Sequence, residues 1–236
     1  MMVGKKIFMT AFLIWGAGGL MESMALSEKM GSLPSHEKIT YKIKQLGFKA
    51  GTATLEFHGL VSLNQQKVYA LTFRTEALRF FDEEKIFFDL ETFFPIRVER
   101  HLNLWGKKES IIENYTPGKV SISKFAKGKK TEQVIDKKHR LDNIYCFIYR
   151  YRAKGGFVIG DTWPVHLPTR EVTMQVIKKT QIKINGHLRE AYYLESDPQG
   201  YRVWLSAGPD HVPLRIDGAV GFNKTSLILS DYEKIS

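Results

Sequence analysis

Apolar and polar residues alternate with a period of two through most of this chain, and no other feature restricts its fold so strongly. Ile39, Tyr41 and Ile43 alternate with Thr40, Lys42 and Lys44, and Ala53, Leu55 and Phe57 with Thr52, Thr54 and Glu56. Val172, Met174 and Val176 recur at every second position ahead of Ile182 and Ile184. Successive side chains of a strand point to opposite faces, so this spacing predicts strands with one buried and one wet face, as in antiparallel sheets. Turn chemistry falls between the runs. Asn185-Gly186 separates VTMQVIKKTQIKI from HLREAYYLE, Pro117-Gly118 separates Ser110–Thr116 from Lys119–Phe125, and Lys127-Gly128 opens the next reversal. Asn-Gly is a strong hairpin signal because both positions accept positive φ. Strand after strand joined by tight turns predicts an all-β antiparallel meander, built as a curved sheet or partly closed barrel because long open edges recruit other chains.

One segment breaks the pattern. DNIYCFIYRYRAKG, from Asp142 to Gly155, begins with a cap-type Asp and ends with Arg150, Arg152, Lys154 and two glycines. Those start and stop signals suit the helix dipole and predict a helix at about 142–154 rather than an aromatic strand. Ile144, Phe147, Ile148 and Tyr151 would form its apolar face, plugging or covering the sheet.

At the start, Lys5 and Lys6 precede an apolar run from Ile7 to about Leu20, which closes on Ser23-Met24-Ala25. A basic start, a short apolar centre and a small-residue exit predict a signal peptide over 1–25 and an exported, periplasmic protein. A permanent anchor would need about twenty apolar residues, and Gly16, Gly18 and Gly19 weaken such a helix. A polar leader over 26–38 and a single β domain over 39–236 follow. With 43% hydrophobic and 12% aromatic residues the chain can fill a core, which excludes wholesale disorder. Cys146 stands alone between Tyr145 and Phe147, so no disulfide staples the domain. Losing Lys5, Lys6 and Glu22 with the leader leaves 33 basic against 24 acidic side chains, a charge of +9. Outside the cytoplasm the matching partners are anionic envelope lipids or polysaccharides rather than nucleic acid.

Catalytic patterns are missing from the sequence. It holds no G-x-S-x-G, and Ser206, Asp210 and His211 read as a strand end entering a turn. The seven histidines (36, 58, 101, 139, 166, 187 and 211) show no metal-ligand spacing, and no glycine loop suits a phosphate, so neither metal nor cofactor is expected. Asp82-Glu83-Glu84 reads as a solvated turn with no cause for a raised pKa. Two features could carry binding. In Phe80–Phe94, Phe80, Phe81, Phe87, Phe88, Phe93 and Phe94 either feed the core or line an apolar ligand cavity. Around a later hairpin, Lys124, Lys127, Lys129, Lys130, Lys137, Lys138 and Arg140 form either a solvated surface or a contact for an anionic envelope surface.

Three blocks resemble domain-of-unknown-function family 3108 of exported bacterial envelope proteins: YKIKQLGFKAGTATLEF, LDNIYCFIYRYRAKGGFVIGDTWPV and YRVWLSAGPDHVPLRIDGAVGFNKTSLIL. The residues that carry the likeness are Gly51, Asp142, Arg152, Gly160, Asp161, Trp204, Pro213, Gly221 and Leu227, spread over about residues 39–231. Position 145 departs from the pattern, holding Tyr where a small residue is common. The resemblance implies an envelope protein with a curved antiparallel sheet and a helix, and no established enzymatic activity. Ordinary structural roles also suit these positions: tight turns for Gly51 and Gly221, a cap for Asp142, an edge strand for Pro213. The expected function is a non-catalytic periplasmic β-protein that binds or scaffolds an envelope component, with a lipid carrier as the alternative. An outer-membrane barrel fits poorly, because Lys178, Lys179 and Lys183 interrupt what would be a lipid-facing strand.

Overall fold

The computed structural model describes residues 33–45, 48–218 and 225–235. The expected signal peptide, most of the polar leader and Gly221 lie outside them. Eight strands come first: β1 (Glu37–Gln45), β2 (Phe48–Leu63), β3 (Gln66–Ala77), β4 (Phe80–Phe88), β5 (Pro95–Leu104), β6 (Lys107–Thr116), β7 (Lys119–Ala126) and β8 (Lys129–Asp136). Helix α1 (Ile144–Lys154) follows. Then come β9 (Thr162–Leu167), β10 (Arg170–Ile184), β11 (His187–Asp197), β12 (Arg202–Ser206), β13 (Pro213–Asp217) and β14 (Thr225–Lys234).

Each meander pairs neighbour to neighbour, and β1 pairs antiparallel with β14 to join them into one 14-stranded sheet whose ends are β8 and β9. At about 4.8 Å between strands, a flat ladder of this length would be roughly 60 Å across. Instead one core cluster draws buried side chains from Val120 on β7 through Leu55, Leu71 and Leu229 to Val165 on β9. The sheet therefore curls around a shared interior without closing. Its ends are guarded: β8 exposes Lys129, Lys130 and Glu132, and β9 carries Pro164, which cannot donate to a further strand. The hairpin reading holds in detail. Asn185 and Gly186 have φ of 50° and 87°, and Lys127 and Gly128 of 50° and 74°, both residues positive as tight two-residue hairpins require.

The helix exists where the stop signals placed it, but its cap is Asn143, whose side chain accepts from the Tyr145 N–H at 2.9 Å. Asp142 is instead buried and ion-paired with Arg150. The helix is also wetted less than one apolar face implies. Tyr145, Cys146, Tyr149, Arg152 and Ala153 are buried along with Ile144, Phe147 and Ile148, because strands approach from several sides. Tyr145 stacks on Phe73 of β3 at 4.5 Å, Tyr149 meets Phe57 of β2 at 5.1 Å, and Tyr151 meets Trp163 of β9 at 4.1 Å.

Arg152 ties this helix to the first strand. Its guanidinium forks onto the Glu37 carboxylate, with one contact at 2.9 Å, and both side chains are fully buried. Tyr149 donates to the same carboxylate at 2.7 Å. Burial alone would raise the Glu37 pKa, but hydrogen bonds and charge from Arg152 outweigh it and hold the carboxyl below its usual range. Glu37 opens β1, which thus starts within the stretch read as a polar leader.

Breaking a buried pair from one side leaves an uncompensated charge. Arg152→Met should therefore cost about 3–5 kcal/mol in urea unfolding, and Glu37→Gln/Arg152→Met should recover a large part of that loss. A single-variant cost below about 1 kcal/mol would show that the pair is not a structural tie.

Candidate functional site

Three polar assemblies compete for a functional role. The first lies on the concave face beneath the start of α1. Asp82, expected in a solvated turn, sits mid-strand on β4, buried, with Arg100 of β5 bound to both its oxygens at 2.8 and 2.5 Å. Next to it on the same face, Glu84 accepts from the Asn143 side chain at 3.0 Å. Burial lifts the Glu84 carboxyl to about 7, with Glu113 and Asp82 adding to the rise and Arg100 opposing it. Burial also raises Glu113, which accepts from the Tyr115 hydroxyl at 2.5 Å. A raised carboxyl is a common catalytic signature. Here, however, Glu84 holds the residue that caps the helix, and its neighbours already engage Arg100 and Tyr115, so the cluster seats α1.

The second assembly is on the outer face of β1–β4, where the wet sides of the strands form a groove of about 510 Å³. Thr54, Glu56 and His58 of β2, Thr72 and Arg74 of β3, and Lys85 of β4 line it. His36, just ahead of β1, lies 3.0 Å from Glu56. Spacing along the chain gave no hint of this group, since its histidines meet across strands.

The third is a rim. Register places the β1–β2, β3–β4, β5–β6 and β7–β8 reversals at one end of the sheet: Gln45 pairs with Phe48, Gly51 with Ala77, Phe80 with Leu104, and Ala126 with both Glu109 and Lys129. Leu78 is 89% exposed, Phe48 79% and Trp105 65%. Lys44, Lys49, Arg79, Lys107, Lys108, Lys127 and Lys129 are exposed around them. None of the seven makes an ion pair among the described residues. Arg79 lies over the Trp105 ring at 5.4 Å, and Lys130 over Phe125 at 5.7 Å. Beside the tips, Phe81, Lys108, Phe125 and Lys129 line a shallow hollow of about 870 Å³.

The six phenylalanines read as one candidate lining are scattered. Phe88 and Phe93 pack in the core against each other at 5.8 Å and against Tyr69. Phe87 faces the outer groove, and Phe80 and Phe81 lie at the rim. Phe94 is covered by the guanidinium groups of Arg140 and Arg150 at 4.6 and 4.3 Å. Strand alternation divides β4 between two faces, and a loop carries the remainder. The basic set divides too. Lys127 and Lys129 belong to the rim, with Lys130 beside them paired to Glu132 and Lys124 paired to Glu109. Lys137, Lys138 and Arg140 follow β8 at the opposite end, Lys137 lying 3.8 Å from Glu171. Ser206, Asp210 and His211 staple a turn: Ser206 Oγ accepts from the Val212 N–H, His211 meets the Ser206 carbonyl, and Asp210 pairs with Lys234. Cys146 is fully buried, which pushes its thiol pKa well up and leaves it unreactive.

A protein-family profile described as "Protein of unknown function (DUF3108)" matches residues 38–229. The chain belongs to the DUF3108 family. A similar solved structure is described as a beta-barrel-like protein of domain of unknown function DUF1849 from Brucella abortus. It is 11% identical, with a TM-score of 0.51, over 86% of this chain and 99% of the other, a likeness of fold alone. No curated protein matches the sequence.

Those residues of the DUF3108 resemblance that are described hold structural posts, some of them not those expected. Gly51 lies inside β2 rather than in a turn, where a Cβ would come within 2.3 Å of the Glu76 carbonyl oxygen. Pro213 opens an interior strand instead of an edge strand, and its carbonyl accepts from the buried Tyr41 hydroxyl at 3.1 Å. Gly160 donates to Val176 at 2.8 Å, and the Asp161 carbonyl accepts from the Val176 N–H at 2.9 Å, fixing the entry to β9. Trp204 lies between Tyr193 at 4.8 Å and the Arg215 guanidinium at 4.7 Å, and Leu227 is buried on β14.

Because the folded-state pKa of Glu84 lies above its ordinary 4.5, the native protein holds an extra proton between about 4.5 and 7. The contribution of Glu84 to stability therefore falls as pH rises through that window. Glu84→Gln should flatten this slope and, at pH 8, unfold in urea about 1–3 kcal/mol later than the parent protein. An unchanged slope would assign the pH dependence to other groups.

Proposed function

We propose that this DUF3108 protein is an exported, non-catalytic β-protein that docks on the anionic lipid surface of the cell envelope through the rim at the β1–β8 hairpin tips. The observation that carries this reading is the pairing of exposed Phe48, Leu78 and Trp105 with seven exposed basic side chains on adjacent turns. Aromatic and aliphatic tips favour the headgroup boundary, and each Lys or Arg near an anionic surface contributes about 1 kcal/mol. Among the described residues no helix is long and apolar enough to cross a membrane, which suits attachment by a rim. The signal-like leader and a mature charge of +9 support an envelope address. The concave face that a carried lipid would need is filled by α1 and by Phe57, Phe73 and Phe88, which favours surface docking over transport in a cavity.

Purified protein should sediment with vesicles of phosphatidylethanolamine containing phosphatidylglycerol, less so as salt is raised, and the Trp105 emission should shift to the blue. Replacing Lys107, Lys108, Lys127 and Lys129 together by Glu should weaken binding by more than about ten-fold. Equal binding to uncharged vesicles, or full binding by the four-fold variant, would refute docking by charge. Capture only by lipopolysaccharide polysaccharide would move the partner from lipid to glycan.

A further inference from the structure

We infer that His36, Glu56 and His58 form a surface site for a divalent transition metal such as Zn²⁺ or Cu²⁺, bound by two imidazole nitrogens and one carboxylate. This site is separate from the rim and does not rest on the docking proposal. Glu56 and His58 stand two residues apart on β2, so both side chains lie on its outer face. Glu37 pairs with Phe57, which sets His36 directly across from His58. One ligand atom from each of the three lies within 4.8 Å of the others. His36 Nε2 is 3.0 Å from Glu56 Oε1, and His58 Nδ1 is 3.7 Å from the same oxygen. Donors around a tetrahedral ion with bonds near 2.1 Å lie about 3.4 Å apart, so small side-chain rotations bring all three to bonding distance.

The surroundings prepare His58 as a ligand. Its Nε2 lies 2.9 Å from Thr72 Oγ1 of the next strand, and donation of the Nε2 proton there leaves the Nδ1 lone pair aimed at the cluster. Metal-bound histidines are commonly held through their other ring nitrogen in this way. The backbone fixes the pair of rings. Pairing between β2 and β3 shifts register between Phe57 and Gly59, and Gly59 has φ of 67°. A Cβ on Gly59 would lie 2.2 Å from the Ser35 carbonyl oxygen, so the missing side chain lets the segment carrying His36 press against β2. Bulges that aim a side chain in this manner cluster beside functional sites.

The three side chains are 32% to 33% exposed, open enough for an ion to enter yet held by neighbours. Glu56 and His58 also line the outer groove, beside Lys38, Arg74 and Lys85. Three protein donors leave coordination positions free for water or for a small anionic ligand in that groove.

Isothermal titration of the untagged protein with zinc chloride should show one site, and bound Cu²⁺ should show nitrogen hyperfine structure in electron paramagnetic resonance. His36→Ala and His58→Ala should each weaken binding more than about ten-fold, and Thr72→Val by roughly ten-fold through loss of the ring's support. His139→Ala, at a stacked histidine pair elsewhere, should change nothing. Circular dichroism and melting of the variants in chelator, expected to match the parent, separate loss of ligands from loss of fold. The inference is overturned if His36→Ala/His58→Ala binds zinc as tightly as the parent, if the parent binds none at micromolar concentration, or if His139→Ala abolishes binding.

Discussion

Arg152 holds the molecule together from the inside. It reaches from the last turn of α1 to Glu37, 115 positions away, and joins the insert between the two meanders to the strand where they meet. A helix enclosed by a curled sheet needs a fixed depth and rotation, and greasy contacts alone leave rotation loosely specified. A forked guanidinium on a carboxylate has one good geometry. The Tyr149 hydroxyl and the carbonyl of Asp210, which accepts from Arg152 Nε at 3.2 Å, complete that geometry. At the other end of the helix the Asp142–Arg150 pair and the Asn143–Glu84 hydrogen bond act in the same way. Polar contacts thus locate an element that apolar contacts retain.

Much of this architecture was legible in the residues. Alternation identified strands on both sides of the helix, positive-φ dipeptides located the hairpins, and the run from Asp142 to Gly155 marked the helix within two residues. The pairing of β1 with β14 was not legible. It joins segments almost two hundred residues apart, and nothing local records it. Asp82-Glu83-Glu84 misled for a related reason. Three acids in a row resemble a solvated turn until Arg100, eighteen residues on, is placed opposite Asp82 to neutralise it.

The candidate sites show the same boundary. Lys127 and Lys129 could be singled out because they are close in sequence, but Phe48, Leu78 and Trp105 come from three separate turns and gather only once register is known. The histidine group is similar. Glu56 and His58 show two-residue spacing, whereas His36 comes from what looked like a leader. Local pattern reports which face a side chain takes, and long-range pairing decides what it meets there.

The unclosed sheet gives the fold a directional character. In a sealed barrel every strand has two partners, and losing one opens the whole ring. Here β8 has a neighbour on one side only, and its side chains are almost all in water. Fewer bonds and little buried surface hold it, so amide exchange should run fastest there and slow inward toward β1, like a scroll unrolled from its outer lap. The outermost lap carries Lys129 and Lys130, so the strand bearing part of the basic rim can peel away while Glu37 and Arg152 stay clasped.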